Sequence, residues 1–379
     1  MESLVTMFQG YYRRRRVLVT GHTGFKGAWL SLWLKDLGAS VTGLALPAQD
    51  PPNLYEVIRP GTFADEFWVD IRDAVAVERT VRKARPDFVF HLAAQSLVRR
   101  SYLDPVETVQ TNVIGSMNLL EALRRLRTKV NLVAVTSDKC YANTKDDKCE
   151  QGYREHDPLG GRDPYSMSKA ACELLTDAWR HSFFRRNEKL GNIATARGGN
   201  VIGGGDYAVD RIIPDCVKFL EQGEPVRVRN PRATRPWQHV FDCLSGYLWL
   251  GAKLGSSAKN SSYATAYNFG PASTNQPVSA VVEEFLKYWP GKWVEAAATN
   301  DGLEANQLPL SIRKAVDELD WKPTWGFSEA VKHTAAWYRC RKMRGETGLR
   351  KFSLSQIASF SRAARKQAQP WALPGSDLL

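Results

Sequence analysis

The sequence lacks the features that mark secreted, membrane-spanning or metal-dependent proteins. Its 379 residues hold six cysteines, Cys140, Cys149, Cys172, Cys216, Cys243 and Cys340, with no Cys-x-x-Cys pair and no Cys/His spacing suited to a metal. That usage argues against a disulfide scaffold and a structural zinc site, and points to a reduced, cytoplasmic compartment. No run of 18 apolar residues exists, so no helical membrane span is expected. The basic run Arg13 to Arg16 leads into an apolar stretch too short for the core of a signal peptide. Acidic residues are the minority, 40 against 52 Lys and Arg, for a net charge of +12. A basic balance can serve nucleic acid. Here the cations are scattered, apart from the arginine run and the C-terminal end, so no nucleic-acid partner is expected. A small polyanion such as a dinucleotide or sugar diphosphate accounts for part of the excess.

What is present is an ordinary globular composition, 43% hydrophobic and 24% charged. Apolar runs at 16–20 (RVLVT), 41–45, 66–70, 87–92, 130–136 and 193–197 read as buried strands. Their near-continuous apolar character suits a parallel sheet covered on both faces. Helical patterns fill the gaps at 26–37, 73–84, 105–127 and 164–188, with Pro105 well placed at a helix start after Asp104. This alternation predicts an α/β fold, a Rossmann-type doubly wound parallel sheet, with a smaller C-terminal substrate-binding lobe. Helices are expected from Pro214 to Gln222 and at 242–255, 277–289 and 328–342. The division read from this is a cofactor unit at 1–200, a lobe at 201–343 partly interleaved with the sheet, and a tail at 344–379. The tail is basic and weakly patterned, and is expected to be an arm or disordered.

The first strand runs into Gly21-His22-Thr23-Gly24-Phe25-Lys26-Gly27 and then a helix. In a strand–turn–helix of this kind the three glycines have separate tasks. Gly21 permits the tight turn, Gly24 lets backbone approach a pyrophosphate, and Gly27 allows helix to pack on strand. The helix N-terminus then faces the phosphates with free N–H groups. A nicotinamide dinucleotide is the expected cofactor, on Gly21, Thr23, Gly24, Phe25, Lys26 and Gly27, with Asp70, Ile71, Leu92, Ala93 and Ala94 at later strand ends. NAD is favoured over NADP, although Leu44-Ala45-Leu46-Pro47 supplies neither a ribose acid nor a phosphate-binding cation, and Asp50 stands a little further on. Asp70 serves either the adenine end or as a helix N-cap.

Tyr165 and Lys169 stand four apart on one helical face. A neighbouring ammonium and a positive nicotinamide favour the phenolate, which can take a proton from a sugar hydroxyl. The stretch Thr136-Ser137-Asp138-Lys139-Cys140-Tyr141 ends a strand, where ligands of parallel sheets sit. Ser137 can bond the reacting hydroxyl. Asp138 beside Lys139 suits a reaction that removes one proton and donates another, or else is a turn with a solvated ion pair. No metal ligand set is expected.

The stretches GHTGFKGAWLSLWL, HLAAQSLVRRSY, TSDKCY, DPYSMSKA, GNVIGGGDYAVDRIIPD and RNPRATRPWQHV resemble the nucleoside-diphosphate-sugar 4,6-dehydratases, within the extended short-chain dehydrogenase/reductases. TSDKCY and RNPRATRPWQHV resemble the CDP-sugar branch in particular. The resemblance implies NAD, CDP-glucose as the small-molecule substrate, deoxysugar biosynthesis for lipopolysaccharide O-antigen, and a homodimer or dimer of dimers. It implies Tyr165 as the base at C4, Asp138 as the acid at the C6 oxygen and Lys139 as the base at C5. For substrate contacts it implies Asn200, Arg211 and Arg235 at the diphosphate, with Gln95 and His239 as further contacts. One departure stands out: the sequence reads Arg197-Gly198-Gly199-Asn200, where Ala is expected at one of the two glycines.

Overall fold

The computed structural model describes residues 4–48, 52–142, 152–257, 261–272, 275–296 and 309–374. Asp50 and Cys149 lie outside the described residues. After two short 3₁₀ turns at Leu4–Gly10, the chain alternates strand and helix. In order come β1 (Arg16–Thr20), α1 (Phe25–Asp36), β2 (Ser40–Ala45), α2 (Leu54–Ile58), β3 (Phe63–Trp68), α3 (Ala74–Ala84) and β4 (Phe88–His91). Two short helices, α4 (Val98–Leu103) and α5 (Pro105–Val109), precede α6 (Gly115–Leu126), β5 (Asn131–Val135), α7 (Pro164–Trp179) and β6 (Ile193–Arg197).

The later chain is more broken. It comprises β7 (Val201–Ile202), α8 (Ile212–Glu221), β8 (Val226–Val228), β9 (Thr234–Arg235), β10 (Gln238–His239), α9 (Val240–Ser256) and β11 (Ala266–Asn268). Then follow β12 (Gln276–Pro277), α10 (Val278–Leu286), β13 (Trp293–Glu295), α11 (Arg313–Leu319), α12 (Phe327–Arg344) and α13 (Leu349–Lys366).

The central sheet has seven strands in the order β11-β6-β5-β4-β1-β2-β3, every pair parallel. The order reverses between β1 and β4, which opens a crevice above their carboxyl ends. The expected doubly wound sheet is therefore present, one strand wider than the sequence indicated. β11 was missed because three residues carry no period. Burial explains why the inner strands read well: β4 and β6 are buried at every position, whereas the edge strand β3 is mostly exposed or half-exposed. The apolar trio Phe67-Trp68-Val69 drew the expected third strand to 66–70, and the true strand starts three residues earlier.

The expected helix at 105–127 is a single rod, α5 continued by a π-type turn at Gln110–Ile114 into α6. Asp104 caps it, accepting from Glu107 N–H at 2.8 Å. Likewise α7 runs into a π-type turn at Arg180–Phe184, so the helix stops short of 188.

The tail expectation is corrected. Residues 349–366 form α13, whose Leu349, Ile357, Phe360 and Ala364 are fully buried. Trp371 beyond it stacks on Phe8 at 5.2 Å and on Phe360 at 5.7 Å. The two ends of the described chain thus share one core. The arginines and lysines that made the segment look like an arm lie on the outer face of an amphipathic helix, because the apolar residues recur at helical spacing.

Candidate active site

The β1–α1 turn has the geometry a dinucleotide needs. Gly21 has φ +73°, and a Cβ there would lie 2.7 Å from Ala93 N. A Cβ at Gly27 would lie 2.1 Å from Gly21 O, so helix and strand meet without a side chain between them. Gly24 is the N-cap of α1 and no side chain among the described residues caps that end, which leaves its amides for an anion. Thr23 Oγ1 ties the turn to Leu46 O at the end of β2, 3.2 Å away.

A buried polar thread holds β4 beside this turn. Leu92 and Ala93 N–H both donate to Thr20 Oγ1 at 3.2 Å. Ser116 Oγ donates to Asn112 O and so accepts from His91 Nε2–H (2.9 Å), which leaves His91 Nδ1 to accept from the Thr20 hydroxyl (2.7 Å). Burial, helped by the Lys169 charge, holds His91 down at about 3, so the ring stays neutral. Ile71 packs into the space left by Gly115, and Asn118 Nδ2 donates to the carbonyls of Ile71 and Arg72. Asp70 stands two residues past the end of β3 and is bound to Arg72 at 2.6 Å. The cap of α3 is Asp73 instead, accepting from Val75 and Ala76, so the N-cap alternative for Asp70 falls away.

Tyr165 and Lys169 occupy the first turns of α7, 7% and 6% exposed. Asp163 caps the helix and Ser101 Oγ receives the Tyr165 N–H at 3.2 Å. The Lys169 ammonium lies 5.9 Å from the centre of the phenol ring. Burial pushes the Tyr165 phenol up to about 12; the Ser137 hydroxyl pulls it down, Asp138 raises it and Arg211 lowers it. These causes place Ser137, Asp138 and Arg211 around one phenol. Lys169 is lowered by its burial; the charge of Cys172 opposes this and that of Lys26 adds to it.

Asp138 and Lys139 open a 3₁₀ turn at Asp138–Cys140 directly after β5, with Ser137 as its cap. Asp138 is 3% exposed, and Ser137 Oγ donates to its Oδ1 at 2.8 Å. Lys139 is only half-buried. Asn200, at φ +50°, turns its Nδ2 toward Asp138 Oδ2, 3.4 Å away. Arg211 is held by Asp206 at 2.7 Å with its side chain 37% exposed. Ser137, Asp138, Tyr165, Lys169, Asn200 and Arg211 therefore converge at the carboxyl ends of β5 and β6, and Lys26 reaches the same place, its Nζ 3.5 Å from Tyr247 Oη.

Of the expected substrate contacts, Gln95 and His239 have other work. Gln95 is tied within its own loop, donating to Leu97 O and Thr108 Oγ1 and accepting from Leu97 N. His239 is fully buried, caps α9 through Nδ1, and packs edge-on against Phe241 and Trp325. A ring excluded from solvent cannot meet a sugar without moving. Arg235 lies in the short β9–β12 ladder and donates to Thr234 O.

Sequence reasoning missed the pair that anchors this ensemble. Glu173 on α7 and Arg197 at the end of β6 form an ion pair at 2.9 Å, 3% and 4% exposed. Thr136 and Thr195 also donate to Glu173, and Arg197 reaches Tyr141 Oη at 2.8 Å. Burial alone would raise Glu173, but the Arg197 charge and these hydrogen bonds outweigh it and hold the carboxyl below its usual range. The visible signal was an arginine closing the otherwise uncharged strand IATAR, with a glutamate one turn beyond Lys169.

Residues 18–334 match the family profile described as GDP-mannose 4,6 dehydratase. A CDP-glucose 4,6-dehydratase of Salmonella typhimurium is 41% identical over 344 residues, covering 89% of this chain and 94% of that protein. A dTDP-glucose 4,6-dehydratase of Xanthomonas campestris is 28% identical over 85% of this chain and 92% of its own length. Among solved structures, the UDP-glucose 4-epimerase of Thermus thermophilus, in complex with NAD, superimposes with a TM-score of 0.73 at 26% identity, covering 86% of this chain and 99% of that one.

Proposed function

This chain belongs to the GDP-mannose 4,6-dehydratase family, and from that premise we propose that it converts CDP-D-glucose to CDP-4-keto-6-deoxy-D-glucose and water, with NAD as a cofactor that ends unchanged. The observation that carries the reading is the buried carboxyl of Asp138 beside the Tyr165 phenol. An oxidation at C4 alone needs the phenol but no such acid. The 41% identical relative supports CDP-glucose over other activated hexoses.

The glycine turn, the uncapped α1 and the Thr20-bound loop after β4 fit NAD. When bound, NAD supplies the acceptor for hydride from C4 and returns it at C6. The protein moves the protons. Tyr165 takes the C4 hydroxyl proton, with Ser137 steadying that oxygen and the charges of Lys169 and Arg211 favouring the phenolate. The ketone so formed acidifies the C5 hydrogen, for which Lys139 is the base. Asp138, entering the step protonated, gives its proton to the C6 oxygen, which leaves as water, and Lys139 returns its proton to C5 as C6 is reduced. Residues 1–200 hold the cofactor and 201–343 the nucleotide sugar, with Arg211 and Arg235 at the diphosphate.

Among the described residues no helix is long and apolar enough to cross a membrane. The five described cysteines are buried and unpaired, which supports a cytoplasmic biosynthetic enzyme. Leu103 is 86% exposed, Val106 63%, Ile114 40% and Leu174 60%, on neighbouring helices α4 to α7. This apolar strip supports a homodimer, or a dimer of dimers, built on those helices; a monomer in light scattering would remove that assembly.

Incubation with CDP-glucose, dTDP-glucose and UDP-glucose plus NAD tests the function, read as loss of water by mass. CDP-glucose is expected to react fastest, and Tyr165→Phe to lose about 10³-fold in kcat. A Tyr165→Phe variant with full turnover would overturn the assigned base.

A further inference from the structure

The carboxylate of Asp138 stands where a side chain on residue 199 would be. A Cβ built on Gly199 would lie 2.3 Å from Asp138 Cγ, 2.3 Å from its Oδ2 and 2.4 Å from its Oδ1. Other tightly packed glycines meet main chain, as Gly27 meets Gly21 O at 2.1 Å, or an apolar or aromatic side chain, as Gly115 meets Ile71 Cγ2 at 2.5 Å and Gly204 meets Trp337 Cγ at 2.1 Å. At Gly199 all three nearest atoms belong to one carboxyl group.

We propose that Gly199 is a positioning residue for the elimination step, its missing side chain forming the berth that fixes the proton donor for the departing C6 oxygen. This rests on the dehydratase reading of Asp138. The berth is closed on its other sides. Ser137 Oγ holds Oδ1 at 2.8 Å, and Asn200 Nδ2 faces Oδ2 at 3.4 Å. Residue 199 cannot back away, because its carbonyl accepts from Gln238 Nε2 at 3.1 Å. Its φ is not in the left-handed region, so the backbone permits alanine, and the three nearest atoms that oppose it all belong to the carboxylate. The end of an aspartate side chain can swing aside at small cost in stability. What alanine removes is the position of the acid.

The neighbouring glycine differs. A Cβ on Gly198 would meet Cys243 Sγ at 3.0 Å, Tyr247 Oη at 3.1 Å and Phe269 O at 3.2 Å, contacts that shifts of a few tenths of an ångström relieve. Of the two glycines where the family resemblance leads one to expect alanine, the geometry assigns that alanine to 198.

The test compares Gly199→Ala and Gly198→Ala in the full chain with NAD and CDP-glucose. Reactions are quenched with sodium borodeuteride, which marks any 4-keto hexose that has not lost water as a CDP-hexose heavier by a single deuterium. For Gly199→Ala the expected result is dehydration slowed about 100-fold, KM near the parent value, accumulated deuterated CDP-hexose, and a melting temperature within about 2 °C of the parent. Gly198→Ala should keep the parent's kcat. A cycle with Asp138→Ala separates position from packing: in that background Gly199→Ala should cost no further activity. Parental kcat in Gly199→Ala, or a rate loss that persists undiminished in the Asp138→Ala background, overturns the proposal. A parent enzyme that dehydrates none of the three sugar nucleotides would instead sink the dehydratase reading, and this inference with it.

Discussion

From β1 to β5 each strand of the sheet is separated from the next by a helix, and all but the edge strand β3 are largely buried. From β7 onward the paired segments are two or three residues long, and their partners lie far off in the chain: Val201 with Gln238, Arg235 with Gln276, Val226 with Trp293. The first region positions Tyr165, Ser137 and Asp138 through a regular lattice. The second positions Arg211 and Asn200 through single contacts on loops, Asp206 in one case and Asp138 in the other. A lattice spreads the loss of any one residue over many others, whereas a loop passes it straight to the site. The exception in the first region is the buried Glu173–Arg197 pair, where one residue carries α7 against the sheet.

The largest expected effects fall one in each region and set the comparison against itself. Glu173→Gln leaves the Arg197 guanidinium buried without its counter-charge, which should cost about 3–5 kcal/mol in urea unfolding. Because α7 carries Tyr165 and Lys169, kcat should fall as well. Trp371→Ala removes a ring stacked on Phe8 and Phe360 and should also cost about 3–5 kcal/mol. It lies in the core shared by the two chain ends, so kcat per folded molecule should stay near the parent's. Equal losses of kcat in the two variants would show that the tail supports the cleft as directly as the sheet does.

How much was legible follows the same line. Strand β6 was read to the residue from IATAR, and α1, α3 and α12 to within one or two, because periodic burial writes itself into periodic sequence. The glycine turn and the Tyr165–Lys169 pair were legible because their spacing is their mechanism. Asp70, Gln95 and His239 were legible as polar residues near strand ends but not in their partners. A side chain that bonds to its own loop and one that bonds to a ligand have the same letter. The tail misled because Phe360 of α13 packs on Trp33, and Trp371 just beyond that helix packs on Phe8, residues more than three hundred positions away. The berth at Gly199 was visible only as a departure from pattern, since the space it leaves is filled by a residue sixty-one positions earlier.

The smallest expected effect separates the regions by pH. Asp242, in the first turn of α9, is fully buried. Its Oδ1 accepts from Thr324 and Trp325 N–H, and its Oδ2 has no partner among the described residues. Burial raises this carboxyl to about 7, against the pull of those two hydrogen bonds. The folded chain therefore prefers the protonated form. The stability this gives is complete below the unfolded value of about 4 and is lost as pH rises from there through about 7. The unfolding free energy of the parent from urea titrations should drop by about 1 kcal/mol for each pH unit across the upper part of that window. Asp242→Asn keeps the acceptor oxygen and cannot ionise, so its curve should lack this contribution and cross the parent's as pH rises. Glu173, held below the usual carboxylate range, contributes no such loss there. A parent curve parallel to that of Asp242→Asn from pH 5 to pH 8 would mean that water reaches Asp242, and that the α9 end of the second region is as well solvated as its loops.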